Sequence, residues 1–319
     1  MRKFIPFLIG LILTIQAITP PLKFSINFTN SPIQFVWTFL LFGILAFYFI
    51  FTKANRWLKF VIPYLFVNSF FSRAPHLSMT AFIWVIAGAY FYLLCLENKD
   101  WKPVFKILSC VFVLEAFLFL LQACHNDVLL NFGKKATNCV GSVGNPMQLK
   151  ALMILLLAFL IQEAKSFRKY IIWMYAAIIS FGIYRLLFTR TWEYFLYARG
   201  AVWLETLKLS RQHPIIGWGL GTYKSIFHAL AHGHFTIEGI WQNAHNEPIE
   251  ALFEIGLIGI IPLILYAIYL LKGCRGMALI ASILVMFVLC VYFPAHAPHT
   301  SLLLVAFVAY REQKIKERI

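Results

Sequence analysis

Charge is scarce in this chain. Only 13% of its 319 residues are charged, and acidic side chains number 13 against 28 basic ones. Soluble domains carry about a quarter charged residues, so with 61% hydrophobic residues the chain reads as an integral membrane protein. No internal repeat, low-complexity tract or soluble domain interrupts it. No C-x-x-C spacing occurs among the six cysteines, which excludes the usual cysteine metal sites. Cys95, Cys110 and Cys290 lie in apolar runs and read as small core hydrophobes. Cys124 and Cys139 share one connector and either pair in an oxidising compartment or stay free thiols. No small-x-small cleavage site follows Met1-Arg2-Lys3 and the apolar run 4–18, so this segment reads as a retained first helix.

The net charge of +15 does not indicate nucleic acid. The basic residues fall in small clusters between apolar runs, the pattern that orients a membrane protein, and lipid headgroups or phosphates are the expected anionic partners. Taking about 20 apolar residues per bilayer crossing, the spans are 4–19, 33–51, 58–71, 77–96, 104–123, 147–163, 169–188, 249–271, 277–293 and 299–310. The expected fold is all-α, one integral membrane domain over 1–319 with about ten transmembrane helices. One set of alternate connectors holds 17 of the 28 Lys and Arg, among them Lys53, Arg56 and Lys59, Lys99 and Lys102, Lys165 and Arg168, and Lys272 and Arg275, while the opposite short connectors hold only Lys23, Arg73, Lys134 and Lys135. The positive-inside rule then puts both termini in the cytoplasm and 124–146 and 190–248 outside.

The 190–248 connector is long enough to demand a function. Within 198–211, Trp203, Leu204 and Leu207 alternate with Glu205, Lys208 and Arg211, which predicts an amphipathic surface helix. His213-Pro214 should stop it, and Gly217, Gly219 and Gly221 should form a tight turn. His245 stands just before the next apolar helix, where Asn246 is a candidate cap and Pro248 a first-turn residue. Histidine suits proton transfer near neutral pH, although a loop histidine is usually just solvated. Glu250 and Glu254, one turn apart, are carboxylates at membrane depth. They would orient His245, bind substrate or pair with Arg190 or Arg199. His228, His232 and His234 have helical spacing but no cysteine beside them, so no metal is expected. Gly217-x-Gly-x-Gly221 lacks the βαβ setting of a dinucleotide site. The connector 294–299 either lines the same outward cavity or is a plain turn.

His245-Asn246, nine residues and then Gly256-Leu257-Ile258-Gly259 resembles the hallmark of the bacterial O-antigen ligase/polymerase family. Gly144-Asn145-Pro146 resembles the family's turn ahead of a membrane helix, Arg199-x-x-x-Trp203 its surface helix, and the 213–223 stretch its Pro-to-Gly-x-Gly-x-Gly segment. The resemblance covers about 141–262. It implies a GT-C-like fold and an inverting, metal- and cofactor-independent glycosyltransferase on the outer side of the bacterial cytoplasmic membrane. The donor would be a glycan on undecaprenyl diphosphate. The acceptor hydroxyl would belong to lipid A–core, a growing glycan or a protein. His245 would be the general base and Arg199 the first arginine to meet the diphosphate, with Arg190, Arg211, Asn246, Glu250 and Glu254 as substrate-binding candidates. The family's Ser-Arg-Gly element is absent and the span number is low. The rivals are a transporter, for which Glu115 and Glu254 would be the intramembrane acids, and a non-catalytic component of a glycan assembly complex.

Overall fold

The computed structural model describes residues 5, 9–10, 56–123, 146–162, 191–231, 242–272, 274–292, 295 and 298–317. Every regular element among them is a helix: α1 Arg56–Phe70, α2 Pro75–Glu97, α3 Lys102–Ala123, α4 Pro146–Leu160, α5 Thr191–Ser210, α6 Tyr223–Leu230, α7 Glu247–Leu271, α8 Met277–Val291 and α9 Pro298–Lys316. Seven of the expected spans thus meet helices with ends close to those the apolar runs give. The spans 4–19, 33–51 and 169–188 lie wholly or mostly outside the described residues, as do Cys124 and Cys139. Two helices, Pro75–Glu97 and Glu247–Leu271, are long and apolar enough to cross a membrane, and three apolar stretches are shorter.

The main core gathers α2, α3, α4, α8 and α9 around an aromatic cluster. Phe159 packs edge-on to Phe105 and Phe307, with ring centroids 5.2 and 5.9 Å away, and Trp101 and Tyr310 close the group. Such pairs contribute about 0.5–1.5 kcal/mol beyond area burial. Of the three cysteines expected inside, Cys95 is buried and Cys290 half-buried, but Cys110 faces outward from α3. In a chain facing lipid, an apolar run does not mark one inward face.

A second, smaller core belongs to the long connector. Val202 and Leu209 of α5, Trp218, Tyr223 and Phe227 around α6, Ala244, and Phe253 of α7 pack together. Phe253 is its hub, with Tyr223 edge-on at 5.2 Å and Trp218 stacked at 6.0 Å. The predicted α5 helix is present, but it starts at Thr191. Arg199, Val202, Thr206 and Leu209 are buried while Leu204 is 71% exposed. Polar members of that face are satisfied locally: the Thr206 hydroxyl lies 2.8 Å from the Tyr223 hydroxyl, and the Ser210 hydroxyl donates to the Thr206 carbonyl at 2.7 Å.

α7 is interrupted at Gly256, whose φ of 59° and ψ of −168° no helix contains. The break frees backbone groups, and burial requires partners for them. The 214–219 segment supplies most. Trp218 N–H donates to the Phe253 carbonyl (2.9 Å) and Gly219 N–H to the Glu254 carbonyl (2.8 Å). Leu257 N–H donates to Pro214 (2.9 Å) and Ile258 N–H to Ile215 (3.1 Å). The Tyr64 hydroxyl of α1 covers the Ile255 carbonyl. Asn68, also on α1, donates to the Ile216 carbonyl at 2.7 Å and accepts from Leu220 N–H at 2.8 Å. Thus the glycine segment is a strap laid between α1 and the break in α7.

Candidate active site

The head of α7 is built as its sequence suggests. Asn246 has extended backbone and its side chain accepts from Ile249 N–H at 3.1 Å, an N-cap, with Pro248 in the first turn. Capping by Asn contributes about 1 kcal/mol. His245, immediately before the cap, has φ 55° and is the one non-glycine with positive φ among the described residues. Left-handed backbone is uncommon outside glycine, though His tolerates it better than most. Such a conformation costs about 1–3 kcal/mol and persists only where the surroundings over-determine it.

Those surroundings are specific. The Trp203 indole N–H donates to the Ala244 carbonyl at 2.8 Å, and Glu250 Oε2 accepts from Ala244 N–H at 2.7 Å. Ala244 is fully buried and Glu250 nearly so, while His245 itself is half-buried. The Arg-x-x-x-Trp motif is one turn of α5, so Arg199 and Trp203 stand on neighbouring turns of one face. Arg199 donates to the Val291 carbonyl at the end of α8, a position that suits a cation because helix C-termini carry partial negative charge. Burial pushes the Arg199 guanidinium down to about 10, against a smaller opposing pull from Tyr292. It remains cationic at neutral pH.

The connector after α8 approaches the same place. Ala295 N–H donates to Glu247 Oε1 at 2.8 Å, so Ala295 is tied to the head of α7. The side chains of His296 and His299 lie outside what is described.

Other candidates are placed elsewhere. Arg211 is exposed in the turn that ends α5, where 3₁₀-type bonds lead to His213. Arg190, His232 and His234 lie outside the described residues, and His228 is exposed on α6. Among the described residues no three His, Cys, Asp or Glu side chains converge as metal ligands would.

Glu254 serves the strap. Its two oxygens accept from Gly221 N–H (2.8 Å) and Tyr223 N–H (2.9 Å), which places a carboxylate at the N-terminus of α6. Tyr223 beneath it is held neutral: burial raises its pKa, the Thr206 bond opposes, and Glu250 and Glu254 add to the rise. Glu254→Ala would leave two buried amides unsatisfied at about 1–3 kcal/mol each. The expected result is a thermal transition in detergent well below wild type, with Glu254→Gln between the two because one amide oxygen still accepts. A transition unchanged in Glu254→Ala would show that the carboxylate is not needed for the strap.

Tyr64 and Asn68 were not singled out from sequence, yet they anchor the break. The signal for Asn68 is a lone amide near the end of the apolar run that follows Lys59 in α1, since polar groups at membrane depth are retained for a reason. The chain matches no known family profile, and no curated protein shows detectable sequence similarity to it.

Proposed function

We propose that the chain is a membrane glycosyltransferase of the O-antigen ligase/polymerase type. It moves a glycan from undecaprenyl diphosphate to an acceptor hydroxyl on the outer side of the bacterial cytoplasmic membrane. The observation that carries this reading is His245, held in a strained left-handed backbone at the head of α7 beside the Arg199–Trp203 turn. Strain is concentrated at functional sites. His245 removes the acceptor proton as that oxygen attacks the anomeric carbon, and the bond from that carbon to the diphosphate oxygen breaks with inversion. General-base help of this kind contributes about 10²–10⁴-fold. Arg199, a buried cation, meets the charge that develops on the departing diphosphate. Arginine suits phosphate because its planar fork donates bidentately.

The ten-span topology with cytoplasmic termini is part of the same proposal. Two sets of contacts support it. The 72–74 corner touches the strap and Ala295 touches Glu247, joining connectors that the charge pattern puts outside. Gln313 bonds the Asn98 carbonyl and accepts from Trp101, and Arg311 reaches Gln162 and Cys274, joining connectors on the basic side.

An interrupted helix is also what many transporters use to bind ions at freed backbone groups. Here the groups freed at Gly256 bond the strap and α1, which favours a fixed corner over an open ion site. Complementation separates the two. Wild type and His245→Ala are expressed at matched membrane abundance in a strain lacking the gene, with surface glycan and undecaprenyl-linked glycan measured in parallel. His245→Ala is expected to lose surface glycan while the lipid-linked pool builds up. A stalled full-length polymer means ligase; a stalled single repeat means polymerase. Wild-type behaviour would overturn the general-base role and leave the transporter or scaffold.

A further inference from the structure

Resting on that function, we infer that Trp203 and Glu250 are positioning residues that fix the backbone of His245. Sequence alone left Glu250 to orient His245, bind substrate or pair with an arginine, and gave Trp203 no role beyond its motif. The geometry assigns both to one peptide stretch. Glu250 Oε2 holds the N–H of Ala244, and the Trp203 indole holds its carbonyl, which belongs to the peptide bond leading into His245. Ala244 itself is buried in the small core with Val202, Tyr223 and Phe253. The peptide plane before His245 is therefore pinned from α5 by Trp203, and the plane before Ala244 from α7 by Glu250.

On the other side of His245, Asn246 is held as well: it caps α7 through Ile249 N–H, and its carbonyl accepts from Glu250 N–H at 3.0 Å. With the residues on both sides held, the φ of 55° at His245 follows from its neighbours rather than from a preference of histidine. Glu250 closes the arrangement on itself, because it starts the helix with its amide and reaches back to Ala244 with its carboxylate. The imidazole then leaves a rigid backbone in one direction, which a base needs, since a misplacement of about 1 Å is enough to cost about 100-fold in rate. This also explains why the Arg-x-x-x-Trp turn and His245 occur as a set: the same turn of α5 carries the cation and orients the base.

The test uses membranes containing equal amounts of each full-length variant. The donor probe is undecaprenyl-linked glycan extracted from cells expressing His245→Ala. Trp203→Phe keeps an aromatic ring and removes the N–H together with the rest of the five-membered ring, so its thermal transition is read beside its kinetics. Its kcat is expected to fall about ten-fold with donor KM unchanged, because positioning acts on the chemical step. Glu250→Gln retains an oxygen that accepts from Ala244 and is expected to keep most activity, whereas Glu250→Leu loses it. If Glu250→Leu does not fold, Trp203→Phe carries the test with its thermal transition measured alongside.

Wild-type kcat in Trp203→Phe, or a loss seen in KM or matched by loss of folded protein, would overturn the inference. So would inactivity of Glu250→Gln equal to that of Glu250→Leu. His245→Ala is the control that keeps the two levels apart. Full activity there sinks the general-base function itself, while loss there with normal kinetics in Trp203→Phe sinks only the positioning role.

Discussion

Gly256→Ala is expected to abolish accumulation of folded protein, or to lower its thermal transition sharply. At φ 59° and ψ −168° Gly256 occupies a region essentially reserved for glycine, where other residues are strained by about 1–3 kcal/mol. Space is the second obstacle. A Cβ there would stand 2.4 Å from the Ile215 carbonyl oxygen and 2.5 Å from Gly217 N, both backbone atoms that cannot rotate away. The strap must retreat, and its bonds to Phe253, Glu254, Leu257 and Ile258 go with it, each contributing about 1 kcal/mol. The sum, about 5–7 kcal/mol, approaches the whole stability of a typical domain, about 5–15 kcal/mol.

Gly217 lies across the same contact, with its added Cβ 2.4 Å from the Glu254 carbonyl oxygen, so Gly217→Ala should fail similarly. Gly200→Ala, in α5 with nothing within 4 Å of the added methyl, is the control. It should gain about 0.5–1 kcal/mol from the lower entropy cost of alanine. Detergent-solubilised protein followed by thermal unfolding, with membrane abundance alongside, reads all three. A wild-type transition in Gly256→Ala would mean that the strap and α7 are not locked together.

How much of this was legible beforehand depended on whether a feature was local. Apolar runs marked α1 to α4 and α7 to α9, because length in hydrocarbon follows from the rise per residue. Asn246 and Pro248 marked the start of α7, because capping involves only residues three apart. The three glycines marked a turn. What the turn leans on was not legible, since Gly221 and the Glu254 carboxylate that holds its amide are 33 positions apart. Nothing local distinguishes a carboxylate that binds substrate from one that binds two backbone amides.

The inward face of α5 does not follow from its apolar residues, for a physical reason. Amphipathicity assumes that the apolar side is the buried one. Beside a membrane Leu204 can face outward at little cost, while Arg199 and Thr206 are buried because each has a partner. The pairing within Arg-x-x-x-Trp is legible regardless, since i, i+4 spacing fixes a shared face whichever way the helix turns.

Replacing His245 separates chemistry from stability, and the expected outcome is that they move in opposite directions. His245→Ala and His245→Gly both remove the imidazole with every contact it makes, so transfer should fall by about 10²–10⁴-fold in each. They differ only in the backbone. Alanine inherits the φ of 55° and its strain. Glycine occupies that region freely, which relieves about 1–3 kcal/mol, against about 0.5–1 kcal/mol of extra unfolded-state entropy. His245→Gly should therefore unfold at a higher temperature than His245→Ala, and at or above wild type if the imidazole contacts are weak. Thermal unfolding and donor turnover measured on one preparation of each protein decide it. A glycine variant less stable than the alanine one would mean that the left-handed backbone at 245 is not strained. Retained turnover in both would mean that the strain serves something other than the base. Inactivity with undiminished stability is the signature of a residue kept in an unfavourable conformation for its chemistry. Gly256→Ala would also lose activity, but by losing the fold, so the pair tells a site from its scaffold.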